Sequence, residues 1–297
     1  MLASPALHGS AFGIKQTNGS RSHIVLAPGG YTTAAGPLHI SSQATTAPVL
    51  SIHGGGAMLT GGSGDGFIRV GLPTTLRDLE IVNPTPLEGS AVGVLATAVL
   101  ERTTLRGFTG IAVFGQARLV DVEIRADDRG ILNSGTLIVD QATIKGGAVG
   151  IESSSGTVDI TNLLVSGTSG IGLDFNITSG SVAFSTITDT GNSGTGVPGM
   201  RCLGAILAVR STIVWTPATP LRPGIEGCNL LSSIAGPIGV VGATNADPLF
   251  VSPTAGDYHL SGGSPARDMV DMGPPVDFEG DPRPRGLRFD IGADEAP

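Results

Sequence analysis

Short apolar segments recur along the chain at a nearly constant interval and are separated by glycine-rich turns. Gly-Ile pairs begin at Gly110, Gly130, Gly150 and Gly170, an interval of twenty residues. A propeller blade needs about forty residues, and a strand followed by a crossover helix also needs a longer unit. The pattern therefore predicts a solenoid in which successive coils of short β-strands stack on one another.

A second series of aliphatic positions follows the same interval and predicts the core. Its members are 19 to 24 residues apart, and each has a companion, usually apolar, two and five residues earlier. Residues two apart in a strand share a face, so the series should point inward and stack from coil to coil. The members are Ile81, Leu105, Ile124, Ile144, Val165 and Ile187.

The chain divides into three regions of one continuous domain. Residues 1–75 hold less regular N-terminal coils, with strands expected at Ile24–Leu26, Leu38–Ile40, Val49–Ile52 and Phe67–Val70. Residues 76–244 hold the regular coils, and residues 245–297 are rich in Pro and Asp. Because the end of a solenoid exposes apolar side chains and unpaired strand edges, the last region is predicted to be a C-terminal cap.

Four spaced blocks in the last fifty residues resemble the closing region of a known family. The blocks resemble those of bacterial right-handed parallel β-helix proteins of the choice-of-anchor Q class. The resemblance implies a right-handed, all-β, pectate-lyase-like superfold and a secreted or cell-surface location. Arg267 stands where that family usually has an apolar residue. The blocks are Ala246–Val251, Gly256–Leu260, Gly263–Asp268 and Asp290–Glu295.

Composition and charge narrow the function classes. The chain is 40% hydrophobic but only 4% aromatic, so Val, Ile, Leu and Ala must build the core. A net charge of −8 argues against nucleic acid or an anionic membrane as partner.

No apolar run reaches the roughly twenty residues of a membrane span. Residues 1–10 lack the basic and apolar parts of an export signal. We therefore expect either a cytosolic protein or a chain that begins after its signal, and the absence of an anchor by Pro297 indicates a shortened or unanchored form.

Three basic side chains occupy the positions that directly follow the inward series on successive coils. These residues, Arg106, Arg125 and Lys145, are predicted to face solvent in one row. Like charges at this spacing repel by roughly 0.5–1 kcal/mol per adjacent pair in water. One interpretation is a cationic track for a linear anion such as a uronate polysaccharide. The alternative is that the side chains splay apart into solvent beside Glu123.

Four carboxylates near the same row suggest a candidate Ca²⁺ site, since Ca²⁺ takes six to eight oxygen ligands. The resemblance adds that parallel β-helix pectate lyases neutralise a sugar carboxylate with Ca²⁺ and a basic residue while a base removes the adjacent proton. The candidate catalytic residues would then be Arg125, Lys145 and Arg106, although a guanidinium normally stays protonated in proteins. The alternative is a solvated turn whose Asp side chains bond their own backbone. The carboxylates are Asp121, Glu123, Asp127 and Asp128.

Cys202 and Cys228 are the two cysteines and are predicted to lie on neighbouring coils. Strands about 4.8 Å apart permit a disulfide. Counted from Gly199 and Gly224, however, the two cysteines differ by one residue in register, which would turn them to opposite faces. A disulfide and two buried thiols are both compatible with the sequence.

The segment Gly61–Asp65 nearly matches a Ca²⁺-binding nonapeptide but is interpreted as a glycine turn.

Two classes of function follow. The first is a non-catalytic exported or cell-surface module that binds a glycan, such as an anionic polysaccharide, or a surface protein through its outward sheet. The alternative is a polysaccharide lyase or a related carbohydrate-active enzyme acting on a uronate polymer. No cofactor is expected apart from the candidate Ca²⁺.

Overall fold

A computed structural model describes residues 7–8, 13–15, 21–33, 37–40, 49–61, 66–85, 89–191, 197–216 and 224–297. The segments 62–65 and 192–196, interpreted from sequence as a glycine turn and a loop, lie outside these ranges. The described chain is all-β apart from a short 3₁₀ turn at Pro253–Ala255. Its strands pair in parallel from coil to coil, so the predicted parallel β-helix is confirmed.

The N-terminal coils begin less regularly than the rest. Two short strands pair antiparallel with the first coil, and parallel pairing starts where Arg21–Val25 meets the following coil. The four strands expected in this region from the sequence are all present. The strands of this region are Leu7–His8, Gly13–Lys15, Arg21–Val25, Gly29–Thr33, Leu38–Ile40, Val49–Thr60 and Ile68–Val70.

The parallel coils continue to residue 244, and the last two strands form a separate antiparallel hairpin. The strands are Thr74–Val82, Ser90–Val94, Thr97–Val113, Gln116–Asn133, Thr136–Lys145, Val149–Ser153, Thr157–Thr161, Leu163–Ser166, Leu173–Asn176, Ser179–Ala183, Thr186–Thr188, Met200–Leu203, Ile206–Arg210, Ile213–Trp215, Ile225–Glu226, Leu230–Leu231, Ser233–Gly236, Ala243–Thr244, Phe250–Ser252 and Asp257–Leu260.

Each regular coil passes through three faces, which we name A, B and C in chain order. Several long strands run across two or all three faces, because the backbone bends without losing its pairing. Face A is formed by 97–101, 116–120, 136–139, 157–161 and their paired neighbours, face B by 103–107, 122–126, 142–145, 163–166 and theirs, and face C by 109–113, 129–133, 149–153, 173–176 and theirs.

The predicted aliphatic series forms one buried column inside face B. Ile124 pairs with Ile144, and Ile144 pairs with Val165, in successive parallel ladders. All three side chains are fully buried. The column extends from Ile81 to Ile187 as predicted and continues beyond it to Val214. Burying each large aliphatic side chain contributes about 1.5–3 kcal/mol, so this column is a main source of stability.

The bend between faces A and B has a repeated backbone signature. Asp78, Arg102, Asp121 and Asn162 occupy this corner on different coils, each with a left-handed φ between 45° and 54°. Arg102 donates two hydrogen bonds to the Asp78 carboxylate, at 2.6 and 3.0 Å. These two charges therefore pair between neighbouring coils. Asn and Asp tolerate the left-handed conformation better than most side chains, which explains their use at this corner.

The fourth Gly-Ile pair does not hold the position that its spacing predicts. Ile111, Ile131 and Ile151 stack in register on face C, but Ile151 pairs with Leu173 and not with Ile171. The corner that follows Ser166 is longer than in the preceding coils. One extra residue there and one in the turn that follows Ser153 together move the next inward residue of face C two places along the chain.

Cys202 and Cys228 form a disulfide, with their Cα atoms 5.1 Å apart. Arg201 pairs with Glu226, so the register places Gly227 opposite Cys202. Gly227 has a left-handed φ of 72°, which reverses the normal alternation and brings the next side chain back to Cys202. The one-residue offset seen in the sequence therefore does not separate the two sulfurs.

The C-terminal segment, residues 249–297, packs along the outer surface of face B. Ile213 and Ile234 point outward from this face, yet both are buried beneath Leu260, Ile291 and Ala296. Backbone bonds reinforce the contact, including one from Gly292 N–H to the carbonyl oxygen of Ser211 at 2.9 Å. The later coils of face B thus have a second layer of chain on their outside. In the part of the chain that the structure describes, no helix is long and apolar enough to cross a membrane.

Candidate functional site

The three predicted basic residues form one outward row on face B. Arg106 pairs with Arg125, and Arg125 pairs with Lys145, on adjacent strands. Their side chains are roughly half exposed. Parallel strands lie about 4.8 Å apart, so the row presents cations at that interval along the stack. The predicted outward row of basic side chains is therefore confirmed as a geometric feature.

Carboxylates on the same face partner each of the three cations. Arg106 lies 2.8 Å from Glu80, and Arg125 Nε donates to Glu123 at 2.8 Å. Lys145 Nζ lies 3.7 Å from the same Glu123 oxygen. Two carboxylates thus relieve much of the repulsion among three cations. The row is not the uniformly cationic track that one interpretation of the sequence proposed.

Beyond Lys145 the row ends at a wall formed by the C-terminal segment. By the same strand alternation the next position, Ser166, and its neighbour Leu164 are expected to face solvent, but both are buried. Leu164 packs against Tyr258 and Ala293 of the C-terminal segment. The expectation fails because a second layer covers this part of face B.

His259 joins the two segments that form the wall, the hairpin strand Asp257–Leu260 and the loop that contains Glu279. Its Nδ1 lies 2.6 Å from Asp257, and its Nε2 lies 2.7 Å from Glu279. Partial burial alone would lower the pKa of His259, but hydrogen bonds to Glu279 and Asp257, with the charge of Asp294, outweigh it and raise the pKa to about 9. The ring is therefore an imidazolium at neutral pH, and it holds the pKa of Asp257 below its usual value.

Tyr258 anchors the wall to the exposed outer surface of face B, which we call the floor. Its hydroxyl group donates a hydrogen bond to Asp189 at 3.3 Å. Burial, followed by the charge of Asp189, raises the pKa of Tyr258 to about 12. The opposite side of the wall is held by Gln141, whose amide donates to the Phe278 carbonyl oxygen at 3.0 Å. The wall is thus fixed at both edges of face B.

A buried polar network makes the C-terminal segment rigid. The Arg283 side chain is fully buried and lies 3.5 Å from Glu295. Arg283 also donates to the carbonyl oxygens of Gly292 and Ala293. The neighbouring carboxylate of Asp294 accepts the Leu260 backbone N–H at 2.7 Å. Since nearly all of these buried groups have partners, the wall has a defined shape rather than that of a loose tail.

Floor and wall together enclose an open groove of about 620 Å³. Arg106 lies one strand further from the wall than Arg125 and does not line the groove. The groove contains three cations, counting the His259 imidazolium, and four carboxylates, so its charge is mixed. Such a surface can bind an anion and also accept hydrogen bonds from hydroxyl groups. The charged residues that line it are Asp121, Glu123, Arg125, Lys145, Asp257, His259 and Glu279.

The four carboxylates proposed as Ca²⁺ ligands are not gathered at one point. Asp121 lies at the corner that begins the face B strand, whereas Asp127 and Asp128 follow the strand's end, roughly 20 Å away at about 3.3 Å per residue. Asp128 pairs with Arg129, and Glu123 pairs with Arg125. Among the described residues, no three Asp, Glu, His or Cys side chains are grouped so as to hold a metal ion. The arrangement does not fit the Ca²⁺ site that the sequence suggested.

Sequence reasoning missed the wall residues Asp257, Tyr258, His259, Phe278 and Glu279. A usable signal was present, because the outward positions of face B change character along the chain. From Glu80 to Lys145 these positions are polar except for Val82, and apolar residues then appear at several later coils. Apolar residues at outward positions indicate that another layer covers that part of the sheet. The apolar ones are Leu164, Ile213 and Ile234.

Comparison with known proteins supports the fold. No protein-family model matches the chain, and no curated protein is significantly similar in sequence. Among solved structures, the fold is similar to that in the crystal structure of pectate lyase Pel9A, with a TM-score of 0.61. The match covers 93% of this chain and 88% of that chain, at 13% sequence identity. At this identity the likeness establishes the β-helix fold and nothing finer.

Proposed function

We propose that this protein is a non-catalytic glycan-binding module that holds an anionic polysaccharide in the groove between face B and the C-terminal segment. The observation that carries the proposal is the pair Arg125 and Lys145. These cations stand in register on the open floor of a polar groove of about 620 Å³. Their separation of about one strand spacing presents two cations to successive acidic groups of a linear chain.

The mixed charge of the groove suits an acidic sugar better than a simple anion. A uronate carries a carboxylate that the cations attract and several hydroxyl groups that donate hydrogen bonds. Glu123, Glu279 and Asp257 supply acceptors for those hydroxyl groups beside the cations. Binding of this kind should be salt-sensitive, because the groove is open and its charges are screened.

The state of the groove's titratable groups favours binding over catalysis. A lyase needs a group that removes a proton from the sugar. The pKa of His259 is raised to about 9 and that of Tyr258 to about 12, so both side chains are protonated at neutral pH. Arg125 and Lys145 both form ion pairs with Glu123. His259 and Tyr258 are therefore not poised to act as bases.

We also propose that the protein is exported and belongs to the choice-of-anchor Q class. The disulfide between Cys202 and Cys228 supports export, since disulfides persist mainly in oxidising compartments. Blocks shared with that class supply residues of the wall and of its support, including Tyr258 and Asp294. The class resemblance and the groove therefore involve the same part of the chain.

Charge reversal at the groove tests the proposal. Arg125→Glu should weaken binding to polygalacturonate or alginate about tenfold at low salt, because an attractive charge becomes repulsive. The matched control is Arg118→Glu on face A, where an equally exposed arginine pairs with Asp140 outside the groove. We expect the control to bind normally and both variants to keep their melting temperatures within a few degrees. Equal binding by Arg125→Glu and wild type would refute the proposed site.

The second candidate function is a polysaccharide lyase, favoured by the fold shared with the pectate lyase. A lyase would release unsaturated uronides that absorb in the ultraviolet, and a chelator would abolish that signal if Ca²⁺ takes part. We expect polygalacturonate and alginate to be bound without such product. Product formation that Lys145→Ala abolishes would replace the binding module with the enzyme.

A further inference from the structure

The groove is open on one side and closed on the other along the stack. On the coils up to Lys145, the outward side chains of face B are substantially exposed. From Leu164 onward the outward positions are buried except for the partly buried Trp215, down to 0% and 1% exposure at Ile213 and Ile234. The change takes place within one strand spacing, about 4.8 Å. The solvent-exposed part of face B therefore ends between two adjacent strands.

The wall blocks the full width of the floor. At the first edge, Gln141 donates to Phe278 O, and Asn162 on the next coil donates to Val276 O at 2.9 Å. At the second edge, Tyr258 packs on Leu164 and bonds Asp189. Between them, His259 bridges the hairpin strand Asp257–Leu260 to Glu279. A chain lying on the floor cannot continue past either edge without displacing these contacts.

The wall is also supported from behind. Ala293 N–H donates to Thr186 Oγ1 at 3.0 Å, and Gly292 N–H donates to Ser211 O. These bonds fix the C-terminal segment to two further coils of face B. Buried Arg283 and Glu295 lie within the same segment. The wall is therefore a built part of the molecule, not a mobile flap over a longer groove.

The row of cations leads toward this wall. Arg106, Arg125 and Lys145 lie on three successive strands, and Lys145 is the last before Ser166 is covered. We propose that the groove is a blind track that binds the terminal residues of an anionic polysaccharide chain, with the chain end against Tyr258, His259 and Glu279. This inference rests on the proposed function and refines it, since the ligand becomes a chain end rather than a chain interior.

A track of this kind distinguishes the two ends of its ligand. One end abuts the wall, and the other leaves over Arg106 and Glu80 toward the first coils. A bulky group on the buried end should therefore abolish binding, whereas the same group on the free end should have no effect. An interior-binding groove would tolerate a bulky group on either end.

The test uses size-fractionated oligogalacturonides with a fluorophore at the reducing end, at the non-reducing end, or at neither end. Titration calorimetry of the full protein should show that one label weakens binding at least about tenfold while the other leaves it unchanged. The number of protein molecules bound per chain should stay constant as chains lengthen. Full binding of both labelled forms, or a stoichiometry that rises with chain length, would overturn the blind track.

The outcomes separate this inference from the function on which it rests. If unlabelled oligogalacturonides bind wild type but not Arg125→Glu, and both labels are tolerated, the groove binds the chain interior and only the blind track fails. If unlabelled oligogalacturonides do not bind wild type, the proposed function fails for this polymer and the blind track fails with it. Arg118→Glu serves again as the matched control for charge.

Discussion

Single glycines on face C determine how closely successive coils approach. A Cβ atom added to Gly130 would lie 2.5 Å from the carbonyl oxygen of Gly150 and 2.5 Å from Cγ2 of Ile144. Gly110 and Gly150 are similarly crowded, each by the next coil's backbone and a column residue. Glycine is needed at these positions for space rather than for a special φ angle. The spacing visible in the sequence therefore has a steric cause.

Gly130→Ala should destabilise the protein by about 1–3 kcal/mol, because neither the neighbouring backbone nor the packed column can move freely. The matched control is Gly30→Ala, since a Cβ at Gly30 would have no heavy atom within 4 Å. Thermal unfolding should show a lowered melting temperature for Gly130→Ala and little change for the control. Equal melting temperatures for the two variants would show that the coils are not packed so closely.

Single residues also show how far the sequence determines the fold. Strand alternation and a regular interval were sufficient to place Ile124 and Ile144 in one column, because both depend on local geometry. Ile171 was misplaced because two extra residues, one in the turn after Ser153 and one in the corner after Ser166, leave the Gly-Ile motif intact while shifting the pairing. The facing of Cys228 could not be predicted because one left-handed glycine, Gly227, changes the facing of the residue that follows it.

At the scale of elements, the C-terminal segment matters most for the site, and it was the least predictable. The sequence blocks predicted a C-terminal cap, but they did not predict that this segment lies on face B. The bond between Gln141 and Phe278 joins residues 137 positions apart. No periodicity can specify such a contact. The apolar outward residues Leu164, Ile213 and Ile234 indicate a covered face, yet they do not say which segment covers it.

The docking of this segment should weaken as pH rises through the pKa of His259. Its pKa is about 9 when folded and 6.5 when free, so its stabilising contribution is complete below about pH 6.5 and lost above about 9. Asp294 shifts from 3.8 to about 6 and contributes only below that window. Tyr258 shifts from 10.0 to about 12, so its contribution is constant across the window and is lost only as pH rises from about 10 to about 12. The melting temperature should fall by a few degrees between pH 6.5 and 9.

His259→Gln identifies the source of that change. Glutamine can still hydrogen-bond to Asp257 or Glu279 but carries no titrating proton. The variant should melt at a lower temperature at pH 6.5 and should lose most of the pH dependence up to pH 9. Limited proteolysis of the C-terminal segment should become faster in wild type over the same interval. An unchanged pH profile in His259→Gln would show that other groups control the docking.

At the scale of the whole molecule, stability is distributed along the stack. Each coil contacts only its neighbours and, on the later coils, the C-terminal segment. The regular middle coils are held by the column from Leu105 to Val165. The later coils have a looser interval and shorter strands such as Ile225–Glu226 and Leu230–Leu231. The disulfide and the C-terminal segment reinforce the end where the regular pattern is weakest.

The disulfide should therefore stabilise the last coils more than the molecule as a whole. Cys202 and Cys228 are 26 residues apart, and closing a loop of this length contributes about 3 kcal/mol through the unfolded state. In the double variant Cys202→Ala/Cys228→Ala, proteolysis should begin within residues 197–244, while the coils around Ile124 remain protected. Reductant should lower the melting temperature of wild type and leave the double variant unchanged. First cleavage among the middle coils of the double variant would mean that stability is shared across the solenoid rather than held locally.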